Sequence, residues 1–435
     1  MIATIIISIS TILLITASIL FFPKIKIGKL SINTYWIIAL VGAIILLATS
    51  LSPIVQVKDQ LIANTTINPL KILVLFFSMT FLSIVLDELG LFKYLANVAS
   101  KKAKNNQLSL FFILYFLTSL LTIFTSNDIV ILTLTPFICM FCKNAKIKAI
   151  PYLIAEFTAA NTWSLMLMIG NPTNIYLASS AGIDFISYFK VMALPTLVAG
   201  IVELTILYFL FRKHLKEPID VNVEDEHLSN KVMTYIALGH LLICLIFLIT
   251  SNYIGVEMWL VSLICAGSLL LCLIVMSVLK KNKWITLGQS LKRLPYPLIP
   301  FFSSMFVIVV ALNYQGITTI VGDFFGNSHT VWVYGYSSFL ASNLINNIPM
   351  SILYSHLCLG LDSSSYLLGT YASIIGSNIG AFLTPLGALA GIMFINIVNK
   401  ENIKFSFLTF VKYGLIISIP PITAALGMLL ITIRF

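Results

Sequence analysis

Long apolar runs alternate with short polar or basic segments along the whole chain. In the first half they lie near 2–22, 33–52, 69–90, 108–142, 149–180 and 189–211; in the second half they lie near 231–250, 257–279, 295–319, 330–360, 365–397 and 405–433. About 20 apolar residues are enough for a helix to cross a bilayer. The pattern therefore predicts an all-α polytopic membrane protein with six elements in each half.

Four of these runs are interrupted by Asn, Ser, Thr, Gly or Pro. The interruptions are 125–128 within 108–142, 170–174 within 149–180, 343–349 within 330–360, and 376–387 within 365–397. Broken, polar backbone at membrane depth is tolerated only where it faces protein or a water-filled cavity. Its recurrence in corresponding places of two halves is the strongest sequence indicator of a transporter's binding site.

The run at 108–142 is best explained as a re-entrant hairpin. Each arm beside its break holds about 14–17 residues, fewer than a full crossing needs. Lysine clusters at 101–104 and 143–148 flank the two ends, which places both ends on the cytoplasmic side. Five crossings and one hairpin in each half turn the second half upside down. The prediction is an inverted repeat whose second hairpin enters from the opposite face.

The predicted organisation is two repeats joined by a charged cytoplasmic linker at 217–230. The first repeat, 1–216, contains scaffold spans 1–95, hairpin 108–142, broken helix 149–180 and span 189–211; the second, 231–435, contains scaffold spans 231–319, hairpin 330–360, broken helix 365–397 and span 405–433. This topology places most of the 26 basic residues on the cytoplasmic side and both termini outside.

Composition narrows the class of protein further. Hydrophobic residues make up 59% of the 435 residues, charged residues only 10%, and the mean hydropathy is +1.01. The net charge of +10 is explained by the sorting of basic residues to one membrane side, so no nucleic acid partner is expected. The chain lacks a Walker lysine motif. It is therefore predicted not to be an enzyme, and an ATPase subunit as partner has no support in the sequence.

The four interruptions bring half-helix ends, amides and hydroxyls toward one predicted mid-membrane site. Helix N-termini offer unpaired N–H groups, and C-termini offer carbonyl groups to a cation. The candidate substrate-binding residues are Ser126, Asn127, Asn161, Asn171, Thr173, Asn174, Asn343, Asn346, Asn347, Ser377, Asn378 and Thr384. The residues predicted to shape the breaks are Gly170, Pro172, Pro349, Gly376, Gly380, Pro385 and Gly387. Pro172 and Pro385 are each suited to the first turn of a second half-helix.

Charge limits which solute this site suits. No Lys or Arg falls within the four motifs, so a neutral hydroxylated solute or a single carboxylate suits it better than a multiply charged anion. Asp128 is the one carboxylate in a motif and is the candidate for carrying the coupling ion, with Glu156 as a second candidate. Glu203 and His240 fall within spans, where a buried, hydrogen-bonded role is favoured over a relay. No cofactor is predicted, apart from a sodium ion considered at Asn127 and Asn171 or at Asn346 and Asn378.

These motifs resemble a known family. Asn127-Asp128, followed by Thr135-Pro136, resembles the Asn-Asp…Thr-Pro signature of the arsenite permeases. The segment 376–390 is similar to their second broken helix, and 343–349 resembles their second hairpin. The chain thus resembles the arsenite permease and pink-eyed-dilution branch of the ion transporter superfamily, which is related to the dicarboxylate/sodium symporters. It departs from these permeases at Asn161 and Asn378, where they often carry an acidic residue.

The resemblance implies secondary transport by an elevator mechanism, coupled to a proton or sodium gradient, across the cytoplasmic membrane. The solute would be a small oxyanion, an arsenite-like metalloid acid or a carboxylate. The early spans, rich in aromatic residues and free of polar breaks, are predicted to form a static scaffold and a homodimer contact in the lipid bilayer. The alternative function is a sodium/proton antiporter with Asp128 as the shared carboxylate. Hydrophobic density and paired closed hairpins argue against a channel.

Overall fold

The computed structural model describes residues 1–27, 30–62, 68–103, 106–216, 227–279 and 285–433. The larger part of the predicted linker, 217–226, lies outside the described residues. So do Lys29, Lys104, Lys280, Lys281 and Lys283, which contribute to the topology prediction. The described chain is helical apart from one antiparallel pair of strands, β1 (Lys24–Ile27) and β2 (Leu30–Asn33).

The helices follow the apolar runs. In the first half they are α1 (Ile2–Phe21), α2 (Thr34–Ala48), α3 (Ile54–Ile62), α4 (Pro69–Glu88), α5 (Leu91–Lys102), α6 (Gln107–Phe124), α7 (Asn127–Asn144), α8 (Ile150–Trp163), α9 (Pro172–Ser180) and α10 (Phe185–Phe211). In the second half they are α11 (Lys231–Ile254), α12 (Met258–Leu279), α13 (Ile285–Arg293), α14 (Leu298–Tyr314), α15 (Ile317–Phe325), α16 (Thr330–Ile345), α17 (Asn347–Leu359), α18 (Tyr366–Gly380), α19 (Leu389–Lys400) and α20 (Phe407–Thr432).

Eight segments of the described chain are long and apolar enough to cross a membrane. They are α1, α4, α6, α10, α11, α12, the α13–α14 pair and α20. Many of their large apolar side chains, such as Ile243 and Ile264, point away from the protein, as lipid-facing residues do. α6 is the first arm of the predicted hairpin, and its 18 residues exceed the arm length expected from the sequence. The prediction of a helical, polytopic membrane protein is confirmed.

All four predicted interruptions are breaks between helices. They separate α6 from α7 at 125–126, α8 from α9 at 164–171, α16 from α17 at Asn346, and α18 from α19 at 381–388. Asn346 has a positive φ of 70° with ψ of 152°, a backbone conformation outside the left-handed helical region that residues other than glycine rarely adopt.

Pro172 occupies the first turn of α9, as predicted. The corresponding prediction for Pro385 was wrong, because α19 begins only at Leu389. The first break is also longer than its Gly-Asn-Pro motif, since α8 already ends at Trp163. The loop then doubles back until Gly170 meets the Ser164 backbone, where a Cβ atom would overlap the Ser164 carbonyl group. Glycine at this position permits the close approach.

The contacts between helices recur in corresponding pairs of the two halves. α6 packs against α8 as α16 packs against α18, and α7 packs against α19 as α17 packs against α9. α10 and α20, the last helices of the halves, pack against each other. The backbones of α16 and α18 approach each other closely, because Cβ atoms on Gly376 and Gly380 would overlap Ser338 and Ser342. Small residues permit such backbone approach between membrane helices.

Candidate functional site

Asn378, near the end of α18, joins the broken helix of the first half to the second half. Its Oδ1 accepts hydrogen bonds from Ser164 Oγ at 2.8 Å and from Asn171 Nδ2 at 2.9 Å. Its Nδ2 donates to Asn174 Oδ1 at 2.6 Å and to the Ile374 carbonyl at 2.9 Å. Both lone pairs and both hydrogens of this fully buried amide are therefore in use.

The same network reaches the tip of the first hairpin. Asn127 Nδ2 donates to Asn161 Oδ1 at 3.2 Å, and Asn161 Nδ2 donates to its own helix at the Phe157 carbonyl. Ser164 Oγ lies 2.6 Å from the Asn161 carbonyl and 2.8 Å from Asn378 Oδ1, and its single hydrogen can bond to either acceptor, which links this pair to Asn378. Within the described residues, Asn127 Oδ1 is buried and has no hydrogen-bond partner. It is an acceptor that remains available at the hairpin tip.

Amide side chains also hold the start of α9. Asn171 Oδ1 accepts from the Thr173 N–H and the Thr173 hydroxyl, both at 3.1 Å, which caps the helix. Asn174 Nδ2 donates to the Ser164 carbonyl at 2.8 Å across the 164–171 loop. The Asn-Pro-Thr-Asn motif therefore forms hydrogen bonds to backbone groups that the break leaves without helical partners. Its two Asn side chains also bond to Asn378.

A second polar cluster joins the second hairpin to the second break. Asn343 Oδ1 accepts from the Thr384 N–H at 3.0 Å and the Thr384 hydroxyl at 2.7 Å, while its Nδ2 donates to the Gly380 carbonyl. Asn346 Nδ2 donates to the Leu386 carbonyl at 3.1 Å, and the Asn347 N–H donates to the Gly387 carbonyl at 3.0 Å. Each hairpin tip thus contacts the broken helix of its own half.

The remaining predicted residues lie near these clusters. Asn347, Pro349 and Ser377 are buried, and Ser377 Oγ has no partner in the part of the chain that the structure describes. The two candidate sodium pairs are not joined directly by any hydrogen bond among the described residues. Asn127 reaches Asn171 only through Asn161, Ser164 and Asn378.

A cavity of about 430 Å³ lies beside the first hairpin tip. One part of its lining comes from α1, α2, α4 and α14, and the other part comes from α7 over 128–132 and α19 over 389–397. Its polar lining consists of Lys24, Asn33, Tyr35, Thr80, Ser126, Asp128, Arg293 and Asn396. Of these, the sequence motifs pointed only to Ser126 and Asp128.

Helix N-termini meet this cavity without side-chain caps. Ser126 precedes α7 and Ala388 precedes α19, and neither side chain accepts a capping hydrogen bond. The starts of α9 and α17, in contrast, are capped by Asn171 and Asn346. The side that has the cavity therefore has two helix starts without side-chain caps and the positive ends of two helix dipoles.

The charged residues that line the cavity differ in whether they form ion pairs. Arg293 forms ion pairs with Asp87 and Glu88, each at 2.6 Å, so its positive charge is offset. Lys24 is exposed, and Asp128 is half-buried and takes part in none of the ion pairs between described residues. The cavity therefore has little net positive charge beyond its helix ends.

Glu156 is placed differently from Asp128. It is buried on α8, and the Thr135 hydroxyl approaches both of its carboxylate oxygens, at 3.1 and 3.3 Å. Thr135 belongs to the Asn-Asp…Thr-Pro signature, so the signature connects α7 to α8. Glu156 does not line the cavity.

Known proteins resemble this chain over most of its length. A family model described as citrate transporter matches residues 12–370. The arsenical pump membrane protein of Escherichia coli K12 is 24% identical over 375 residues, covering 83% of this chain and 86% of that protein. A 46 kDa membrane protein of Mycobacterium leprae is 25% identical over 409 residues, covering 89% of this chain and 91% of its own length.

The fold also has a counterpart among solved structures. The YdaH transporter of Alcanivorax borkumensis superposes with a TM-score of 0.55 at 14% identity, covering 99% of this chain and 98% of that chain. At this identity the likeness concerns the fold. The resemblance to the arsenite permeases that the four motifs indicate is confirmed by the relatives that align over most of the chain.

Proposed function

This chain belongs to the citrate transporter family, and we propose that it is a secondary active transporter of a small neutral or singly charged solute rich in oxygen. An arsenite-like metalloid acid, a small oxyanion and a monocarboxylate all fit this description. The observation that carries the proposal is the 430 Å³ cavity at which two uncapped helix N-termini meet Ser126 and Asp128.

The cavity provides the contacts that such a solute needs. Its volume is within the range of small-molecule sites, which begins at about 300 Å³. The first-turn N–H groups of α7 and α19 can donate to solute oxygens, as helix N-termini do in other anion sites. The hydroxyl groups of Ser126, Tyr35 and Thr80 can donate or accept. Asp128 can accept a hydrogen bond from a solute hydroxyl group.

Charge distinguishes among the candidate solutes. Citrate carries three carboxylates, and the lining offers Lys24 and an Arg293 whose charge Asp87 and Glu88 already offset. Desolvating three anionic groups against Asp128 would be unfavourable. We therefore infer that a hydroxylated metalloid acid or a monocarboxylate is preferred over citrate, although the family takes its name from the latter.

The arrangement of the halves supports an inverted repeat with alternating access. The α7–α19 and α17–α9 contacts are equivalent under exchange of the halves, yet α7 and α19 border the cavity and start without side-chain caps, whereas Asn171 and Asn346 cap the starts of α9 and α17. An inverted repeat that exchanged these two states would open the site to the other side of the membrane. The hairpins and broken helices would then move against the early helices, in an elevator-like step.

Binding is tested by thermal stability of the purified protein with arsenite, antimonite, acetate, citrate and sodium. A ligand at 100 times its Kd raises the free energy of unfolding by about 2.7 kcal/mol. We expect stabilisation by arsenite or acetate and little by citrate. Ser126→Ala should weaken that binding about fivefold, because one hydrogen bond contributes about 1 kcal/mol. Ser277→Ala, which removes a half-buried hydroxyl bonded only to its own helix, is the matched control.

Flux measurements in proteoliposomes separate this function from the alternative. Solute uptake that requires an imposed proton or sodium gradient supports the secondary transporter. Sodium–proton exchange without any solute would instead support the antiporter, for which the half-buried, unpaired Asp128 is the favouring observation. Strong stabilisation by citrate alone would overturn the charge argument.

A further inference from the structure

Glu203 is a carboxyl group fully excluded from solvent within the membrane helix α10. Its Oε2 accepts a hydrogen bond from the Thr162 hydroxyl, and its Oε1 has no partner among the residues that the structure describes. None of the ion pairs between described residues includes it. An ionised carboxylate whose described neighbours are neutral hydroxyl groups would be very unfavourable in this environment.

The neighbouring hydroxyl group of Tyr115 identifies which form of Glu203 fits. Tyr115 donates its only hydrogen to the Gly200 carbonyl at 2.9 Å and accepts from Trp163 Nε1 at 3.1 Å. This hydroxyl also faces the Glu203 carboxyl group. Its remaining lone pair can accept but cannot donate. A hydrogen bond between the two groups therefore requires that Glu203 supply the hydrogen.

The same contacts fix the end of α8 onto α10. Thr162 and Trp163 are the last two residues of α8, and both bond to this polar group. Gly200 lets the indole lie against the α10 backbone, since a Cβ atom there would be 2.6 Å from Trp163 Cζ2. The residues on either side are Asn161, which contacts the hairpin tip, and Ser164, which contacts Asn378.

We propose that Glu203 carries a proton in this conformation and that its protonation positions the end of α8, so that loss of the proton releases this end during transport. The proposal rests on the proposed transport function. It makes Glu203 a positioning residue, which acts on the end of α8 through the proton on its own carboxyl group. It is separate from Asp128, which lines the cavity, and from Glu156, which bonds to Thr135 on the other side of α8.

The groups around Glu203 supply no cation that would hold it ionised. Tyr115 approaches from α6, and Thr158 and Thr162 approach from α8. The titratable groups of α20 are Lys412 and Tyr413 near its start, with Tyr413 next to Phe211, and Lys412 forms no ion pair with Glu203 among the described residues. α11 contributes His240, whose Nδ1 bonds to its own helix at the Ile236 carbonyl. Because these elements provide no cation that pairs with Glu203, its charge is removed by protonation.

Infrared spectroscopy tests the proton directly. A protonated carboxylic acid has a C=O stretching band apart from those of carboxylates and amides, and the band shifts in D₂O. We expect wild-type protein at neutral pH to show such a band that Glu203→Gln removes, whereas Asp128→Asn and Glu156→Gln leave this component in place. An unchanged band in Glu203→Gln would overturn the proposal, because Glu203 would then be ionised.

Transport at different pH values tests the positioning role. Glu203→Gln keeps the hydrogen bond to Thr162 and mimics the protonated acid, so we expect a folded protein that binds solute normally and whose turnover is at least tenfold lower and insensitive to pH. A wild-type pH profile in this variant would overturn the role. If wild-type protein moves none of the tested solutes, the proposed function fails, and the infrared band still decides the state of Glu203.

Discussion

At the scale of single residues, Asp128 is the residue that we propose to carry the coupling ion. It stands in the first turn of α7, lines the cavity and takes part in none of the ion pairs of the described chain. We expect Asp128→Asn to give a folded, membrane-inserted protein that binds solute weakly and no longer responds to the driving gradient. The measurement is solute uptake into proteoliposomes with and without an imposed proton or sodium gradient.

The control for this variant is Asp323→Asn, which neutralises an exposed carboxylate on α15. That protein should retain full gradient dependence. Wild-type coupling in Asp128→Asn would refute the assignment, and Glu156→Gln would then be the variant to examine. Asp128 is the second residue of α7, and the second residue of α17 is the apolar Ile348, so neutralising one carboxylate should remove the charge of the coupling site.

The amide side chains at the helix breaks were predictable from the sequence, but their hydrogen-bond partners were not. Asn, Gly and Pro are costly inside an apolar membrane run unless they break a helix next to protein or a cavity, so Asn127, Asn171 and Asn378 stand out in the pattern. Ser164 bonds to Asn378 across 214 residues, and no local pattern records such a contact. Arg293 and Tyr35 were missed for the same reason, because they enter the cavity from helices without polar breaks.

At the scale of helices, close packing of α16 against α18 is the most demanding feature. A methyl group at Gly376 would overlap Ser338 Oγ and the Gly335 carbonyl, and the backbone cannot yield without separating the helices. We expect Gly376→Ala to lower the free energy of unfolding by about 1–3 kcal/mol through overpacking. Thermal unfolding in detergent would measure it.

The matched control is Gly239→Ala on α11, where a Cβ atom would meet nothing within 4 Å. Alanine is a better helix former than glycine, so this variant should be as stable as the wild type or slightly more stable. Equal stability of Gly376→Ala and the wild type would show that α16 and α18 can separate without penalty.

Asp184 caps the start of α10 and provides a pH-dependent contribution to stability. Its carboxylate accepts from the Ile186 and Ser187 N–H groups and from the Ser187 hydroxyl. Partial burial alone would raise the pKa of Asp184, but these hydrogen bonds outweigh it and hold the pKa below its usual range. Asp184→Ala should lower the free energy of unfolding by about 0.5–1 kcal/mol at neutral pH.

The sign of the pH effect follows from the lowered pKa. The cap contributes fully above the unfolded pKa of Asp, about 3.9, and its contribution is lost as the pH falls through the folded-state pKa. The difference between Asp184→Ala and the wild type should therefore shrink in acid. Asp184→Asn keeps a neutral capping group, and its stability relative to Asp184→Ala should stay constant with pH. A stability difference between the wild type and Asp184→Ala that stays constant with pH would contradict the role of the charge.

Apolar runs predicted the spans well because a crossing helix needs about 20 apolar residues and little else. The same criterion missed α3, α13 and α15, which have nine residues each and cover the ends of the spans. α3 and α13 have polar and apolar faces, so their average hydropathy does not stand out, whereas α15 is apolar but begins inside a run that was assigned to one span. The long run at 295–319 consequently divides into α14 and α15 instead of forming one span.

At the scale of the whole molecule, the cavity lies between two groups of helices, and the proposed mechanism requires one group to move against the other. α4 and α14 form one wall, and α7 and α19 form the other, with α4 in contact with α7. If solute crosses by movement of the hairpins and broken helices, a covalent link across this cavity must stop transport. A link within the early helices of the two halves should not, because both of its ends belong to the proposed scaffold.

Paired cysteines test this in a protein whose six native cysteines are replaced by serine. Thr80→Cys on α4 with Ile129→Cys on α7, joined by a short bifunctional reagent, should abolish uptake while solute still stabilises the protein. Ser52→Cys with Val307→Cys is the control, because Ser52 Oγ already lies 3.4 Å from the Val307 carbonyl. Undiminished uptake in the fully linked Thr80–Ile129 protein would exclude movement of α7 past α4. Loss of uptake in both linked proteins would instead place motion within the early helices, since a rigid scaffold would tolerate the control link.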